Sequence, residues 1–507
     1  MLTHQAKCLL RIVPQGPGLA LLSFLSCLIC LAACTVTPKQ PTTTVQIPQT
    51  WSQAPETASK TPRLDLALWW KTFQDPLLQS LIERGLTNNR DIRVATARIR
   101  EARAARTVTA AAQWPFTGWS GAYTRTRSSS ASASFSFDDF LTEETDTTTG
   151  SQNTTGSPFG FGEDRNFYQT GLDASWELDF FGRIHWSVQA AEADIAAVEE
   201  DRRDILVTLL AEIARNYVDL RGLQQRLAIA RQNIQAQQES VEVTQSRYQA
   251  GLTSGLDLAQ AQALLAGTRS RVPSLQTETT ATMHRLGVLL GQPPQALVAE
   301  LALERPVPMA DLDASLGLPS DLLRRRPDIR QAERELEAAT ARIGVAQADL
   351  FPRFSLTGRL GSQGLDFSDV WKDAGLAWSA GPTVSWPIFD MGRVRANIEV
   401  YDARQKQALA RYEQVILTSL EEVENALVAY AQELIRQRWL TDSVTASQNA
   451  VEIATERYRS GLENYLSVVI AQRALYTAQD ELAQSQTALA SQVIALYKAL
   501  GGGWQRT

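Results

Sequence analysis

The sequence is built twice over. Asp91 to Pro115 and Asp328 to Pro352 align at a shift of 237 residues: Asp91-Ile92-Arg93 recurs as Asp328-Ile329-Arg330, and Trp114-Pro115 as Phe351-Pro352. Farther along the shift settles at 210. Trp176 then matches Trp386, Gly182-Arg183 matches Gly392-Arg393, Arg247-Tyr248 matches Arg457-Tyr458, Gly251-Leu252 matches Gly461-Leu462, and Gly291 matches Gly501. The 27 residues by which 237 exceeds 210 fall in Ser128–Asp164, a stretch rich in Ser, Thr, Asp and Gly. A duplication this large argues against a compact one-site enzyme and for an architecture assembled by symmetry.

Each repeat carries a very long helical segment. Arg183 to about Ala250 contains no Pro and a single Gly, Gly222, and Arg393 to Ser460 contains neither. Both are rich in Ala, Gln, Glu, Arg and Leu, which favour helix, and at 1.5 Å per residue each reaches roughly 100 Å. Apolar residues recur every seventh position at Ile213, Leu220, Leu227, Ile234, Val241 and Tyr248. In the second repeat the series is Val423, Tyr430, Gln437, Val444, Val451 and Tyr458, with one polar member. That period predicts coiled-coil packing, so the stripe reads as a packing seam. Gly251 and Gly461 sit where a left-handed residue closes a helix. Second helices follow over about 256–290 and 465–500, completing a hairpin in each repeat. Shorter helices are expected over 89–113 and 327–350.

Strand pairs lie between these helices, about 115–127 with 166–180, and 352–362 with 377–390. Trp378, Ala380, Pro382, Val384, Trp386 and Ile388 alternate with Ser379, Gly381, Thr383 and Ser385. Tyr168, Leu172, Ala174, Trp176 and Leu178 alternate with small, polar or charged residues. The alternation suits a half-buried soluble sheet or a membrane barrel; the long polar loop after the first strand leans toward the barrel. Four strands cannot close a membrane barrel, for which about eight is the minimum, and an open edge cannot face lipid. Spanning strands would require several chains to share one barrel.

The N-terminus reads as a secretory signal. Lys7 and Arg11 precede the apolar run Leu19–Ala33, which is shorter than the roughly 20 residues of a spanning helix. It ends at Leu31-Ala32-Ala33-Cys34, which resembles a lipoprotein cleavage box, so Cys34 is the expected lipidation site. Cys8, Cys27 and Cys30 leave with the signal, which rules out an internal disulfide or a cysteine-ligated metal. With 55 acidic and 49 basic residues, nothing favours nucleic acid. The expected organisation is a signal at 1–33, a lipidated flexible tether at 34–62, a first repeat at 63–292 (strand pair 115–180, hairpin 183–290), a linker at 293–326, a second repeat at 327–502 (strand pair 352–390, hairpin 393–500) and a tail at 503–507.

Trp69-Trp70-Lys71-Thr72-Phe73-Gln74-Asp75-Pro76, Gly317-Leu318-Pro319-Ser320-Asp321-Leu322-Leu323-Arg324-Arg325-Arg326-Pro327-Asp328-Ile329 and the two Gly-Arg helix starts together resemble the TolC-like outer-membrane efflux factors. The likeness is greatest to their lipoprotein branch, the OprM/NodT-like proteins of tripartite efflux systems. The resemblance covers almost the whole chain after the signal. It implies a mixed α+β membrane protein: a homotrimer with a twelve-stranded β-barrel, four strands per chain, continued by a long α-helical coiled-coil barrel. It further implies a passive channel in the outer membrane of a Gram-negative bacterium, without cofactor beyond the covalent lipid. The implied partners are a periplasmic adaptor, an inner-membrane pump, most often proton-driven, and outer-membrane lipid.

In such proteins the channel closes at the helix-turn tips. The resemblance implies a hydrogen bond from Tyr458 to Asp257 in the closed state, with Arg247 and Arg457 adding charged links. It also implies adaptor contact at Gly251, Leu252, Gly461 and Leu462. The competing reading makes Tyr248 and Tyr458 the last members of the heptad seam and the arginines solvated. Relatives carry carboxylates at positions matching Ser467 and Ile470, so a cation-selecting ring there is in doubt, with Glu463 the nearest substitute. His185 and His284 stand alone, Glu199-Glu200 and Glu421-Glu422 read as solvated helix faces, and no phosphate loop, His-Glu-x-x-His or Gly-x-Ser-x-Gly motif occurs. The alternative function is a lipid-anchored periplasmic coiled-coil adaptor without a pore, which leaves the duplicated strand pairs unexplained. A cell-envelope hydrolase lacks a nucleophile–base pair.

Overall fold

A computed structural model describes residues 38–39, 41–51, 66–127, 164–310 and 319–504. The expected lipidation site Cys34 and most of the Ser/Thr-rich loop lie outside the described residues. The chain forms two compact units, one holding residues 105–190 and 340–402, the other residues 40–104, 191–339 and 403–507.

The first unit is built on a sheet of β1 (Phe116–Arg127), β2 (Asp164–Leu178), β3 (Arg353–Gly364) and β4 (Leu376–Ser385), antiparallel throughout in the order β1-β2-β3-β4. Its two faces differ completely. Trp119, Leu172, Leu360 and Trp378 form one row across all four strands. They are 72, 54, 52 and 75% exposed, so nothing among the described residues covers them. A soluble sheet would bury such a row, whereas a barrel turns it to lipid, and this settles the ambiguity left by the alternation. The opposite face carries Asp173, Gln169 and Arg359. Ser120 Oγ donates to Asp173 at 2.9 Å, and Arg359 lies 3.6 Å from the same carboxylate.

β4 is shorter than expected. It stops at Ser385 because Pro387 has no N–H for a ladder and Asp390 turns back to accept from the amides of Gly392 and Val394, at 3.0 and 2.9 Å.

The second unit is helical. A 3-10 turn (Leu66–Phe73) leads to α1 (Pro76–Asn88) and α2 (Arg90–Ala111). The long hairpins are α3 (Arg183–Gln249) with α4 (Gly255–Leu289), and α6 (Arg393–Arg459) with α7 (Tyr465–Ala499). α5 (Pro327–Ala348) opens the second repeat. The long helices match the sequence expectation to within a residue at each end. α1 is additional to the expected elements, although Asp75-Pro76 is a helix-start signal and Leu78, Leu81 and Ile82 recur at helical spacing. The short helices at Val298–Leu301 and Leu322–Arg325 in the linker are additional as well.

The opening aromatic motif is the centre of the helical core. Trp69 and Trp70 are each 1% exposed, and Trp69 stacks on Tyr497 at 5.3 Å. Asp75 caps α1 through the amides of Leu77 and Leu78 and also accepts a 2.6 Å bond from the Tyr217 hydroxyl. Burial, followed by that bond to Asp75, pushes the Tyr217 pKa up to about 12. Arg221 lies over the Tyr217 ring and donates to the Leu303 carbonyl, tying the linker to α3.

The two repeats lock their hairpins at equivalent places with different chemistry. Asn89 donates to the Leu289 carbonyl at the end of α4; Arg326, at the matching place, donates to the Ala499 carbonyl at the end of α7, both at 2.9 Å. Arg326 also holds Asp328 and Glu422 at 2.7 Å each. Burial would lower its pKa, but the bonds to those carboxylates outweigh burial and raise it. Arg326→Ala should cost roughly 3 kcal/mol, the low end for breaking a buried pair, because both acids keep some solvent. A lower dissociation temperature of the detergent-solubilised protein would show it; an unchanged one would count against this lock.

Glu200 does not lie on the solvated face that helix periodicity suggests, whereas Glu421 and Glu422 are exposed as expected. Glu200 is 3% exposed and bridges Arg203 and Arg330, and Glu422 joins Arg326. Periodicity misreads Glu200 because Arg330 lies far away in sequence. The tether is not free along its whole length either. The Thr44 amide donates to Glu413 at 2.9 Å and Trp51 is buried in the core.

Candidate functional site at the hairpin tips

Both hairpins turn in the same way. Gly251 and Gly461 adopt φ of +72° and +73°, which only glycine takes without strain. The amides of Leu252 and Leu462 reach back to the carbonyls of Arg247 and Arg457, at 2.8 and 2.9 Å, the helix-ending motif the glycines predict. Leu252 and Leu462 are left 67 and 70% exposed at the extreme ends.

Among the positions at which the repeats differ, one decides burial. The second tip carries Tyr465 where the first carries Gly255. Tyr465 packs edge-on against Tyr458 at 5.2 Å, and its hydroxyl is hydrogen-bonded with that of Ser240 at 2.8 Å. Burial raises the Tyr465 pKa. Tyr458 is thereby buried to 4% exposure, while Tyr248, lying beside a glycine, stays 48% exposed. Ala261, Tyr458, Tyr465, Val468 and Val469 form a small apolar cluster drawn from both hairpins. Within the chain, then, Tyr458 is buried as the heptad reading expects and Tyr248 is not.

Arg247 joins the two tips. It ends α3, yet its Nη1 donates to the Arg459 carbonyl at the end of α6, at 3.0 Å, and its guanidinium lies over the Tyr458 ring at 5.0 Å. Its Nε has no partner among the described residues. The other charged residues act within their own tips. Arg457 pairs with Glu463 at 2.9 Å, and the Asp257 carboxylate accepts from Thr253.

The expected bond from Tyr458 to Asp257 is not made within the chain. Asp257 answers its own turn, and the Tyr458 hydroxyl is buried without a partner among the described residues. Glu463 is likewise no isolated carboxylate. Ile470, 60% exposed, lines a cleft of about 730 Å³ between α4, α6 and α7, together with Leu264, Leu466, Val469 and Arg473, while Ser467 is half-buried. Sequence reasoning names Arg247 but not its role; the signal that could reveal it is Gly255 opposite Tyr465.

Among the described residues no group of three metal-ligating side chains lies together, and no helix is long and apolar enough to cross a membrane.

The family described as outer membrane efflux protein matches residues 81–292 and 318–502. Among curated proteins, the pyoverdine export outer membrane protein OpmQ of Pseudomonas aeruginosa is 33% identical over 443 residues, 87% of this chain and 88% of that protein. Nodulation protein T of Rhizobium leguminosarum bv. trifolii is 31% identical, covering 87% and 88%. Among solved structures, the outer-membrane channel OprN superposes with a TM-score of 0.79 at 38% identity, over 93% of this chain and all of that one.

Proposed function

Because the chain belongs to the outer membrane efflux protein family, we propose that its paired hairpin tips are the periplasmic gate of a passive efflux channel and that Arg247 holds each subunit's share of the gate shut. The chain is a pore-forming outer-membrane component of a tripartite pump in a Gram-negative bacterium, not an enzyme, and shares the TolC-like trimeric fold with its structural neighbours. Three copies contribute four strands each to the barrel.

The observation that supports the gate is how few links join the tips: Arg247 bonded to the Arg459 carbonyl, the Ser240–Tyr465 hydroxyl pair and a small shared apolar cluster. Helix ends held by one arginine, one hydroxyl pair and a few apolar side chains can separate without disturbing the core that carries the rest of the fold. A charge-assisted bond to a carbonyl plus a cation–π contact contributes on the order of 2 kcal/mol, enough to bias a closed state and small enough for a partner to overcome. The exposed Leu252 and Leu462 at the turns suit a periplasmic adaptor, whose docking would pull the tips apart. An inner-membrane pump, driven by protons, would supply both energy and cargo choice. A poreless adaptor has no use for a sheet whose apolar row is bare to its surroundings. Planar-bilayer recordings of the purified protein test the gate: a small conductance that rises when Arg247 is removed supports it, and a fully open channel in the unsubstituted protein would sink it.

Lipid on Cys34 would add an anchor beside the barrel. Cys34→Ser should abolish incorporation of labelled palmitate yet leave the protein in the outer-membrane fraction, because the barrel itself holds it there. Continued labelling of the variant would refute lipidation at this cysteine.

A further inference from the structure

We propose that the barrel closes between subunits in the register that β2 keeps with β3 inside the chain, so that Ser385 on β4 faces Ser120 of the partner subunit and Met391 packs on Trp114 of the partner subunit. This rests on the trimeric channel reading above and adds to it which residues meet at the seam.

The inference starts from how well the internal repeat is kept within the sheet. Subtracting 237 from a β3 residue and 210 from a β4 residue turns the β3–β4 register into the β1–β2 register. The pair Arg353–Ser385 becomes Phe116–Ser175, and Ser362–Leu376 becomes Arg125–Asn166; all four pairs are present. Side chains obey the same rule. The Trp176 indole donates to the Gln113 carbonyl at 3.0 Å, and the Trp386 indole to the Leu350 carbonyl at 3.1 Å. The two hairpins are thus copies in pairing as well as in sequence.

The junction between the copies is β2–β3, where the end of the first repeat meets the start of the second. β1 and β4 are left as open edges, and an open edge cannot face lipid. In a closed ring of repeats, the end of a second repeat must meet the start of a first repeat, which belongs to another subunit. Carrying the β2–β3 register through the same shifts fixes that meeting. Ser175–Thr357 becomes Ser385 with Ser120 of the partner subunit. Trp176–Leu356 becomes Trp386 with Trp119 of the partner subunit, which places two exposed tryptophans side by side on the lipid face. No residue changes face in the operation, as a correct register demands.

The residues beyond the strands agree. At the junction inside the chain, Phe181 stacks on Phe351 at 4.6 Å and 14°. Shifted, Phe181 becomes Met391 and Phe351 becomes Trp114. Met391 is 85% exposed and Trp114 73% exposed in the isolated chain. A thioether against an indole is a favourable contact and replaces the ring stack.

Cysteine cross-linking of the full-length trimer tests the register. Directly opposed positions have Cβ atoms about 4.5–5.5 Å apart and diagonal ones sit about 7–8 Å apart, beyond disulfide reach. S120C combined with S385C should oxidise to covalent trimers on denaturing gels. S120C combined with T383C should not, nor should any single variant, which controls for Cys34. Both double variants, reduced, should conduct in bilayers like the unsubstituted protein. Linking of the T383C pair, or of neither pair in a conducting trimer, overturns the register and leaves the channel intact. Non-conducting monomers of the unsubstituted protein overturn the channel reading and the seam together. As an independent measure, Met391→Ala should lower the temperature at which trimers dissociate without altering helix content; an unchanged dissociation temperature overturns the Met391 contact.

Discussion

Arg247→Ala should give a channel that rests open. The substitution removes the bond to the Arg459 carbonyl and the contact with the Tyr458 ring. That is about 2 kcal/mol per subunit, and such a loss shifts an open–closed ratio roughly thirtyfold for each tip pair. Three subunits bias the same aperture, so the combined effect should exceed that of one. The expected record in planar bilayers is a larger mean conductance with fewer closures. Two neighbours sharpen the test. Tyr458→Phe should be silent, because the hydroxyl has no partner among the described residues whereas the ring supports Arg247. Asp257→Asn should be nearly silent, because that carboxylate serves Thr253 in its own turn. If Asp257→Asn or Tyr458→Phe opens the channel and Arg247→Ala does not, the gate is held by a Tyr458–Asp257 bond instead, and Arg247 is not its latch.

Leu360→Arg should be the most damaging single change in the sheet. Leu360 lies in the bare apolar row on β3, between Leu172 and Trp378. A guanidinium facing lipid near the middle of a barrel costs about 2–4 kcal/mol, and the trimer carries three copies. Ser355→Arg, on the same strand but the opposite face, sits beside Glu177 and should be tolerated. Outer-membrane yield and heat-resistant trimer on gels would separate the two variants. Equal tolerance of both would mean that the apolar row does not face lipid.

Much of the fold is legible in the sequence because it depends on local pattern. Helix formers without Pro over Arg183–Gln249 and Arg393–Arg459, with Gly222 the one glycine, leave no other secondary structure open to them, and Gly251 and Gly461 end them where a positive φ is needed. The opening 3-10 turn escapes such reading because its aromatic residues are buried by distant helices, whereas α1 carries a legible start in Asp75-Pro76. The Trp69–Tyr497 stack and the bond from Tyr217 to Asp75 have no local periodicity to betray them. Glu200 is misread for the same reason: one of its two arginines, Arg330, is contributed by α5.

The site divides along the same line. The turns, their glycines and the exposed leucines at their ends follow from short-range backbone chemistry, and the sequence alone determined them, together with the duplication, the strand alternation and the length of the hairpins. Which face of the sheet stays bare, which tyrosine is buried and which arginine spans the tips were decided only by the tertiary structure. Those outcomes depend on what lies opposite a residue in space. Two copies of one motif, Arg-Tyr before Gly-Leu, end in different surroundings because Tyr465 stands where the other repeat has Gly255. A ring filling that space buries Tyr458 and gives Arg247 something to hold; its absence leaves Tyr248 in solvent.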